Sequence, residues 1–530
     1  MNIVAELKPK SIFFITLQML FIVLIVTSCG HKYNKNSSHQ NTSDESIAKG
    51  EKLATMYCQS CHMLPEPSLL SSIIWEKGIL PNMGPRLGIF TFNNSYYPTS
   101  KNDRELDTGY YPEKAVMSNE QWQNIIDYYT ALSPDSLRRQ PNKRPIDTST
   151  PLFSADTSVP HFYMPAATSF IKINPVGNKS ALVVSDVIKK STFFYDKNFK
   201  AIDSFFTNGP LVDIGFDNGQ YVTCNIGILN PTNGKYGKGE FRNKDLNGVI
   251  TTDKSLGFDS LRRPVQLTAA DLNQDGKTDY LICEFGFLNG CLSWMENKGD
   301  HKFEKHILRN VPGAIKAYIN DYNHDGLPDI WVLFAQGDEG IFLFTNKGNG
   351  KFTQEAVLQF PSVYGSSYFE LADFNNDGFP DIVYTCGDNA DYSKILKPYH
   401  GVYIFMNDKT NHFKQTFFYP INGCYKAMAR DFDGDGDLDI ATISFFADYA
   451  HHPEEGFVYL KNEGNFKFKP SSVAATQAGR WLTMDVGDFD NDGRIDIVLG
   501  NFSVGPTFNK SQVDWKKAAP FLLLRNTGIK

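Results

Sequence analysis

Five nine-residue segments recur along the back of the chain: "DLNQDGKTD" at 271–279, "DYNHDGLPD" at 321–329, "DFNNDGFPD" at 373–381, "DFDGDGDLD" at 431–439 and "DFDNDGRID" at 488–496. Their first aspartates stand 50, 52, 58 and 57 residues apart, a period that signals a repeat architecture. Each segment sets oxygen-bearing side chains at positions 1, 3, 5 and 9 and a glycine at position 6 for a sharp turn. The side chains are Asp271, Asn273, Asp275 and Asp279; Asp321, Asn323, Asp325 and Asp329; Asp373, Asn375, Asp377 and Asp381; Asp431, Asp433, Asp435 and Asp439; and Asp488, Asp490, Asp492 and Asp496.

Hard oxygen ligands around a tight loop suit Ca²⁺, and five ions would neutralise much of a chain whose formal charge is −7. The competing reading is a set of plain Asx-type turns without metal. An EF-hand would also require glutamate at position 12, where this chain has Ile282, Val332, Tyr384, Thr442 and Leu499. Those residues lie in apolar runs, so each loop leads into a strand. Alternating strands precede the loops, as in Val265, Leu267 and Ala269, and further strands ending in turns such as "LFTNKGNGKF" follow them. Four strands per repeat make one propeller blade. These repeats resemble the FG-GAP/VCBS family, the propeller type of integrin α chains. Two earlier units, within "SALVVSDVIKKSTFFYDKNFKAIDSFF" and "QYVTCNIGIL…NGVITTDKSLGFDSLRR", keep the strand order without the aspartates, which gives seven blades. The last unit ends at "FLLLRNTGIK", one strand short, so a strand within "TPLFSADTSVPHFYM" is expected to close the ring.

Innermost strands would point Gln266, Lys316, Tyr368, Glu370, Lys426, Arg430, Thr483 and Asp485 into a polar, water-filled channel. The resemblance implies that ligands meet the face opposite the Ca²⁺ loops, where this chain has long connections, one of which carries His451 and His452 as exposed histidines.

The front of the chain carries different chemistry. "MYCQSCHMLPEP" holds Cys58, Cys61 and His62 in the Cys-x-x-Cys-His spacing of c-type haem attachment, with two thioether links and a proximal ligand. No second ligand pair for zinc and no βαβ setting for a redox dithiol stands nearby. "SIAKGEKLATMY" spaces Ile47, Gly50, Leu53, Ala54 and Tyr57 as a helix entering the motif. "SNEQWQNIIDYYTALSP" opens on a capping box, Ser118 with Gln121, and carries Trp122, Ile125, Ile126, Tyr129 and Leu132 on one stripe. Together these features resemble the small class I c-type cytochromes, in which the terminal helices cross and a methionine caps the far side of the iron. Met83, in a loop that Pro81, Gly84 and Pro85 keep from regular helix, is the favoured distal ligand, with Met117 the alternative.

The N-terminus reads as an export signal ending in "VTSC", which resembles a lipobox with Cys29 as the acylated residue. The expected organisation is a lipoprotein signal peptide at 1–28, a polar tether at 29–46, a cytochrome c domain at 47–135, a linker at 136–149 and a seven-bladed propeller at 150–530. The fold class is thus multidomain, a small all-α cytochrome followed by an all-β propeller. Of the remaining cysteines, Cys224, Cys283, Cys291, Cys386 and Cys424, the pair Cys283 and Cys291 could bridge a hairpin.

These readings imply a lipid-anchored monohaem cytochrome of a bacterial cell envelope that passes electrons between redox proteins. An exported dehydrogenase using its own haem as acceptor, and a surface module binding protein, glycan or a small molecule at the loop face, are the alternatives. No basic stripe or nucleotide fingerprint points to nucleic acid.

Overall fold

The computed structural model describes residues 33–161, 164–175, 180–389, 392–505, 507, 511 and 513–529. Seven four-stranded antiparallel sheets dominate it, and in six of them sequence order is kept from the inner strand outward. Blade 1 spans Thr168 to Phe206, blade 2 Leu211 to Leu261, blade 3 Pro264 to Arg309, blade 4 Ala314 to Gln359, blade 5 Ser366 to Pro420 and blade 6 Cys424 to Ser471. Blade 7 takes three strands from Trp481 to Asn526 and its fourth from the front of the propeller. Phe153–Asp156 pairs antiparallel with the strand Phe521–Asn526, placing Phe153 opposite Asn526. The expected closing strand therefore lies where the missing edge required it, and the ring has no open blade.

The blades adhere through apolar layers between adjacent sheets. Trp331 and Leu333 of blade 4 pack with Phe369 and Tyr384 of blade 5. Val498 and Leu523 of blade 7 pack with Ile171 and Val184 of blade 1, which joins the ends of the ring.

In front of the propeller the helix Asp44–Tyr57 starts at Ser43, whose side chain accepts the Ser46 N–H. The closing helix Asn119–Leu132 carries the full capping box: Ser118 Oγ accepts the Gln121 N–H and Gln121 Oε1 accepts the Ser118 N–H. The two helices cross through Ile47, Ala54, Trp122, Ile125 and Tyr129, which are buried together. This region is not purely helical, since Thr91–Phe92 pairs with Ser95–Tyr96 and much of 97–117 is coil.

Several boundaries differ from the expectations set by the sequence. Residues 33–43 are no free tether: Asn36 donates through Nδ2 to the Thr130 and Ser133 carbonyls, both at 2.6 Å, and so satisfies the frayed end of the closing helix. The linker 136–149 lies along blades 5 and 6. Lys143 pairs there with Glu455, Tyr419 donates to the Arg144 carbonyl at 2.9 Å, and Asp147 bridges to Ser471. The "ILPNMGPRLG" stretch is helical turns of changing pitch and not a loop: π over Trp75–Ile79, α over Leu80–Met83 and 3₁₀ over Gly84–Leu87. Pro81 and Pro85 sit in the first turn of their segments, where a missing N–H costs nothing. Cys283 and Cys291 are not bridged. Cys283 stands opposite Leu292 and Cys291 opposite Glu284, which sends the two side chains to opposite faces of the sheet. The signal segment and Cys29 lie outside the described residues.

Candidate functional site

Cys58 ends the first helix, and Cys61 and His62 follow in the turn beyond it. All three line a cavity of about 730 Å³, a volume in the range of small-molecule and cofactor sites. Its near wall is made by the helical region through Trp75, Leu80, Met83 and Tyr129. Its far wall is the propeller face carrying the connections between second and third strands: Phe287 and Leu288 of blade 3, Gln336 and Glu339 of blade 4, and Lys397 of blade 5. The cavity thus lies between the two parts of the chain.

The parts are locked together around it. Arg262 pairs with Asp107 at 2.5 Å, Asn233 donates to Asp103 at 2.9 Å, and Tyr399 donates to the Leu69 carbonyl at 3.3 Å. Val363 joins the helical core, with Ile395 and Tyr399 packed against it.

Within the cavity wall, Trp75 donates through Nε1 to the Pro67 carbonyl at 2.8 Å, and Tyr129 donates to the Pro65 carbonyl at 3.3 Å. The Tyr129 bond fixes the chain just after His62 against the closing helix. Burial pushes the Cys58 thiol up to about 11, with Cys61 adding to the shift. His62 donates through Nδ1 to the Met63 carbonyl at 2.9 Å, which leaves Nε2 for a ligand role. Of the two candidate methionines, Met83 lines the cavity, whereas Met117 is buried in the helical core with Trp122 and is not among the cavity-lining residues. Two thiols, an imidazole, a thioether and apolar walls form a donor set that fits a covalently held haem.

The five acidic loops lie on the opposite face of the propeller, between first and second strands. The position 1 carboxylate accepts the N–H groups of positions 5 and 6, as Asp271 does from Asp275 at 3.1 Å and Gly276 at 2.9 Å. Asp431, Asp433 and Asp439 converge within metal-binding reach of one another, as do Asp488, Asp490 and Asp492. Basic side chains approach the same loops: Lys277 reaches Asp275 at 2.8 Å, Lys461 pairs with Asp433, and Arg525 reaches Asp490 at 2.7 Å.

Position 9 has a second use that sequence reasoning missed. The buried Asp279, Asp329, Asp381, Asp439 and Asp496 each accept the N–H of an asparagine at the end of the third strand. The asparagines are Asn297, Asn346, Asn407, Asn462 and Asn526, at 2.7–2.8 Å. Each asparagine in turn donates through Nδ2 to the carbonyl of position 8, at 3.0–3.2 Å. Loop and third strand are therefore clamped together inside each blade. Burial raises Asp439 and Asp496 to about 6. The asparagine recurring in "NKG", "NKG", "NDK", "NEG" and "NTG" was the signal that could have revealed the clamp.

The central channel is lined by polar side chains, most of them half-buried. Its polar groups stitch neighbouring blades: Gln266 accepts the Ala317 N–H at 2.7 Å, Glu370 the Ala429 N–H at 2.7 Å and Asp485 the Ile173 N–H at 2.8 Å. Lys426 donates to the Met484 carbonyl at 2.8 Å, and burial lowers it to about 8. Lys316 lies over the Tyr318 ring, Arg430 pairs with Glu370, and Tyr318 shares a hydrogen bond with Tyr368. Phe445, Phe446, Phe502 and Ala167 pack together with Tyr425 and Leu482 at the loop-face end. His451 and His452 are exposed and pair with Asp448 and Glu454 of their own loop.

A family profile described as FG-GAP-like repeat matches residues 271–332, 321–384 and 445–499. Cartilage acidic protein 1 of Mus musculus is 29% identical over 180 residues, covering 32% of this chain and 26% of that protein. The Xenopus tropicalis protein of the same name is 30% identical over 178 residues with the same coverage. The chain thus spans about a quarter of the length of these curated relatives. Among solved structures, Saccharomyces cerevisiae Sqt1 aligns at a TM-score of 0.41 and 8% identity, over 72% of this chain and 99% of that one. The chain carries FG-GAP-like repeats in a seven-bladed β-propeller.

Proposed function

We propose that the chain is a monohaem c-type cytochrome joined to a Ca²⁺-binding propeller, anchored at a bacterial cell envelope through a lipid on Cys29, and that it passes single electrons between redox proteins. The observation that carries this reading is the meeting of Cys58, Cys61, His62 and Met83 at one cavity with apolar walls. Cys58 and Cys61 would hold the haem covalently, His62 would be its proximal ligand and Met83 its distal one. Bound there, haem supplies one-electron redox chemistry. Trp75, Leu80 and Tyr129 would face the group on one side and the propeller on the other, and the apolar character and solvent access of such a shell are a main lever on potential. A single centre holds one electron, so the chain needs a separate donor and acceptor.

Ca²⁺ at the five loops would add ligand bonds to blades already clamped by the Asp–Asn pairs. No helix among the described residues is long and apolar enough to cross a membrane. The dehydrogenase alternative would need a substrate site on the propeller, and Lys426 and Asp485 of the channel already bond to neighbouring blades. The surface-module alternative keeps the propeller's loop face as a site for protein or glycan.

The test is to purify the full chain from cells able to attach haem, oxidise it and follow its spectrum while donors are added. Reduction by a redox protein alone supports the carrier reading. Reduction by a sugar or alcohol would replace it with the dehydrogenase, and ligand binding by a chain with no covalent haem would replace it with the surface module.

A further inference from the structure

From blade 3 to blade 7 the residue before the clamp asparagine is Glu296, Thr345, Met406, Lys461 and Arg525, while position 3 of the loop is Asn273, Asn323, Asn375, Asp433 and Asp490. The fourth carboxylate thus appears only where that residue is basic. The contact is direct in three blades: Glu296 accepts from Asn273 Nδ2 at 3.0 Å, Lys461 pairs with Asp433, and Arg525 donates to Asp490 Oδ2 at 2.7 Å. Glu296 is held in turn by His306 and Lys298. The other basic groups at these loops, Lys277, Lys409 and Arg494, reach the position 5 carboxylates Asp275, Asp377 and Asp492 from exposed side chains, where solvent screens them.

The two basic pairs differ in what they leave over. The Asp433 side chain is only 1% exposed. Its Oδ2 pairs with Lys461 and its Oδ1 accepts the Asp435 N–H at 3.2 Å, so both oxygens are engaged. The Lys461 ammonium also stands 3.9 Å from Asp435. In blade 7, Arg525 is shared between Asp490 and Asp156 of the closing strand, the latter at 2.9 Å. Asp490 Oδ1 is buried without a hydrogen-bond partner among the described residues, within the group that Asp490 forms with Asp488 and Asp492. A divalent ion brought against the Lys461 ammonium meets a repulsion that water screens only in part. We propose that Lys461 is a built-in competitor of Ca²⁺ at the blade 6 loop, bonded to the Asp433 oxygen the ion would take, whereas Asp490 keeps an oxygen for the ion in blade 7. This rests on the Ca²⁺ reading of the loops given above. Blade 6 consequently holds its loop together at low Ca²⁺, and the closing strand packs on this blade through Phe153 against Phe432 and Tyr459.

The test uses the full-length chain, stripped with chelator and returned to defined free Ca²⁺. Equilibrium dialysis counts ions per chain, and calorimetry reads the melting temperature of the same samples. Lys461→Met should shift one site about tenfold or more toward lower Ca²⁺, so that it binds about one ion more than wild type at intermediate concentrations. In chelator this variant should melt below wild type, because the carboxylates of Asp431, Asp433 and Asp435 repel one another without the ammonium, and Ca²⁺ should close that gap by mass action. Lys461→Met combined with Asp433→Asn reproduces the Met406 and Asn375 pair of blade 5. The double variant should recover the melting temperature in chelator and still fill that site at lower Ca²⁺ than wild type. Binding curves unshifted in both variants, or a melting deficit of Lys461→Met that is the same at every Ca²⁺ concentration, would make Lys461 a purely structural partner of Asp433 and overturn the proposal. A wild-type chain that binds no Ca²⁺ would remove the metal reading itself, and this inference with it.

Discussion

A Cβ placed on Gly50 would stand 1.9 Å from the backbone oxygen of Asn124, so the first helix and the closing helix touch backbone to backbone. Ser46 seals the same crossing by donating to Asn124 Oδ1 at 2.6 Å. Gly50→Ala must therefore separate the helices, and the expected cost is about 3 kcal/mol or more, at the upper end of overpacking penalties. A melt followed by helical circular dichroism checks this. The first transition should fall while the β signal of the propeller holds.

Ring closure gives a second prediction. Phe153 is buried edge-on against Tyr459 and Phe432, with ring centres 5.2 and 5.8 Å away. Phe153→Ala should cost the propeller about 3–5 kcal/mol. The linker matters as well, because Lys143→Ala leaves Glu455 buried without its cation, at an expected cost of about 3 kcal/mol. Denaturant unfolding of the two variants measures both, and an unchanged midpoint for Lys143→Ala would make the linker a passive strap.

The acidic loops separate metal binding from the Asp–Asn clamp. Asp435 is exposed, whereas Asp439 is buried and holds the Asn462 N–H at 2.7 Å. Asp435→Ala should lower the melting temperature only when Ca²⁺ is present, since a ligand that binds the folded state stabilises it by mass action. Asp439→Ala should lower it in excess chelator too, because orphaning the buried donors costs about 1–3 kcal/mol of stability. Calorimetry with and without chelator distinguishes the two. If chelation shifts nothing in wild type, the loops are hydrogen-bonded turns alone.

The distal ligand is tested by two methionines. Met83→Ala should remove the sulfur-to-iron charge-transfer band of the oxidised protein while keeping covalent haem. Met117→Ala should retain the band and instead destabilise the helical region by about 2–5 kcal/mol, as expected for truncating a buried methionine. The reverse spectroscopic result would move the ligand to Met117.

Glu339 makes stability depend on pH. Burial raises its carboxyl to about 7 against hydrogen bonds from Ser366 and Gly365, so the folded chain holds this proton more tightly than the unfolded chain does. Its contribution is complete below the ordinary glutamate range and is lost as pH rises through about 7. The loss should approach about 3 kcal/mol, because each tenfold difference in proton affinity between folded and unfolded chain is worth about 1.4 kcal/mol. Glu339→Gln should flatten that part of the curve in unfolding measured between acid and mildly alkaline pH, and an unaltered slope would assign it to another group.

Local chemistry was sufficient for much of this protein. The capping box at Ser118 and Gln121, the glycine of the first helix, the seven-blade count and the need for a strand near Phe153 could all be read from spacing, because each depends on residues close in sequence or on the fixed period of a repeat. Contacts between distant segments could not be read that way. Channel positions such as Gln266 and Asp485 look like solvated polar groups along one strand, and only the neighbouring blade supplies the backbone N–H that binds them. Residues 136–149 look like a linker until Glu455, 312 positions away, meets Lys143. The Cys58, Cys61 and His62 spacing is likewise a local pattern. That the propeller walls its cavity, with Lys397 on the side opposite the helical region, follows only from how the two parts pack, because no local pattern encodes which of seven similar blades a separate segment will rest against.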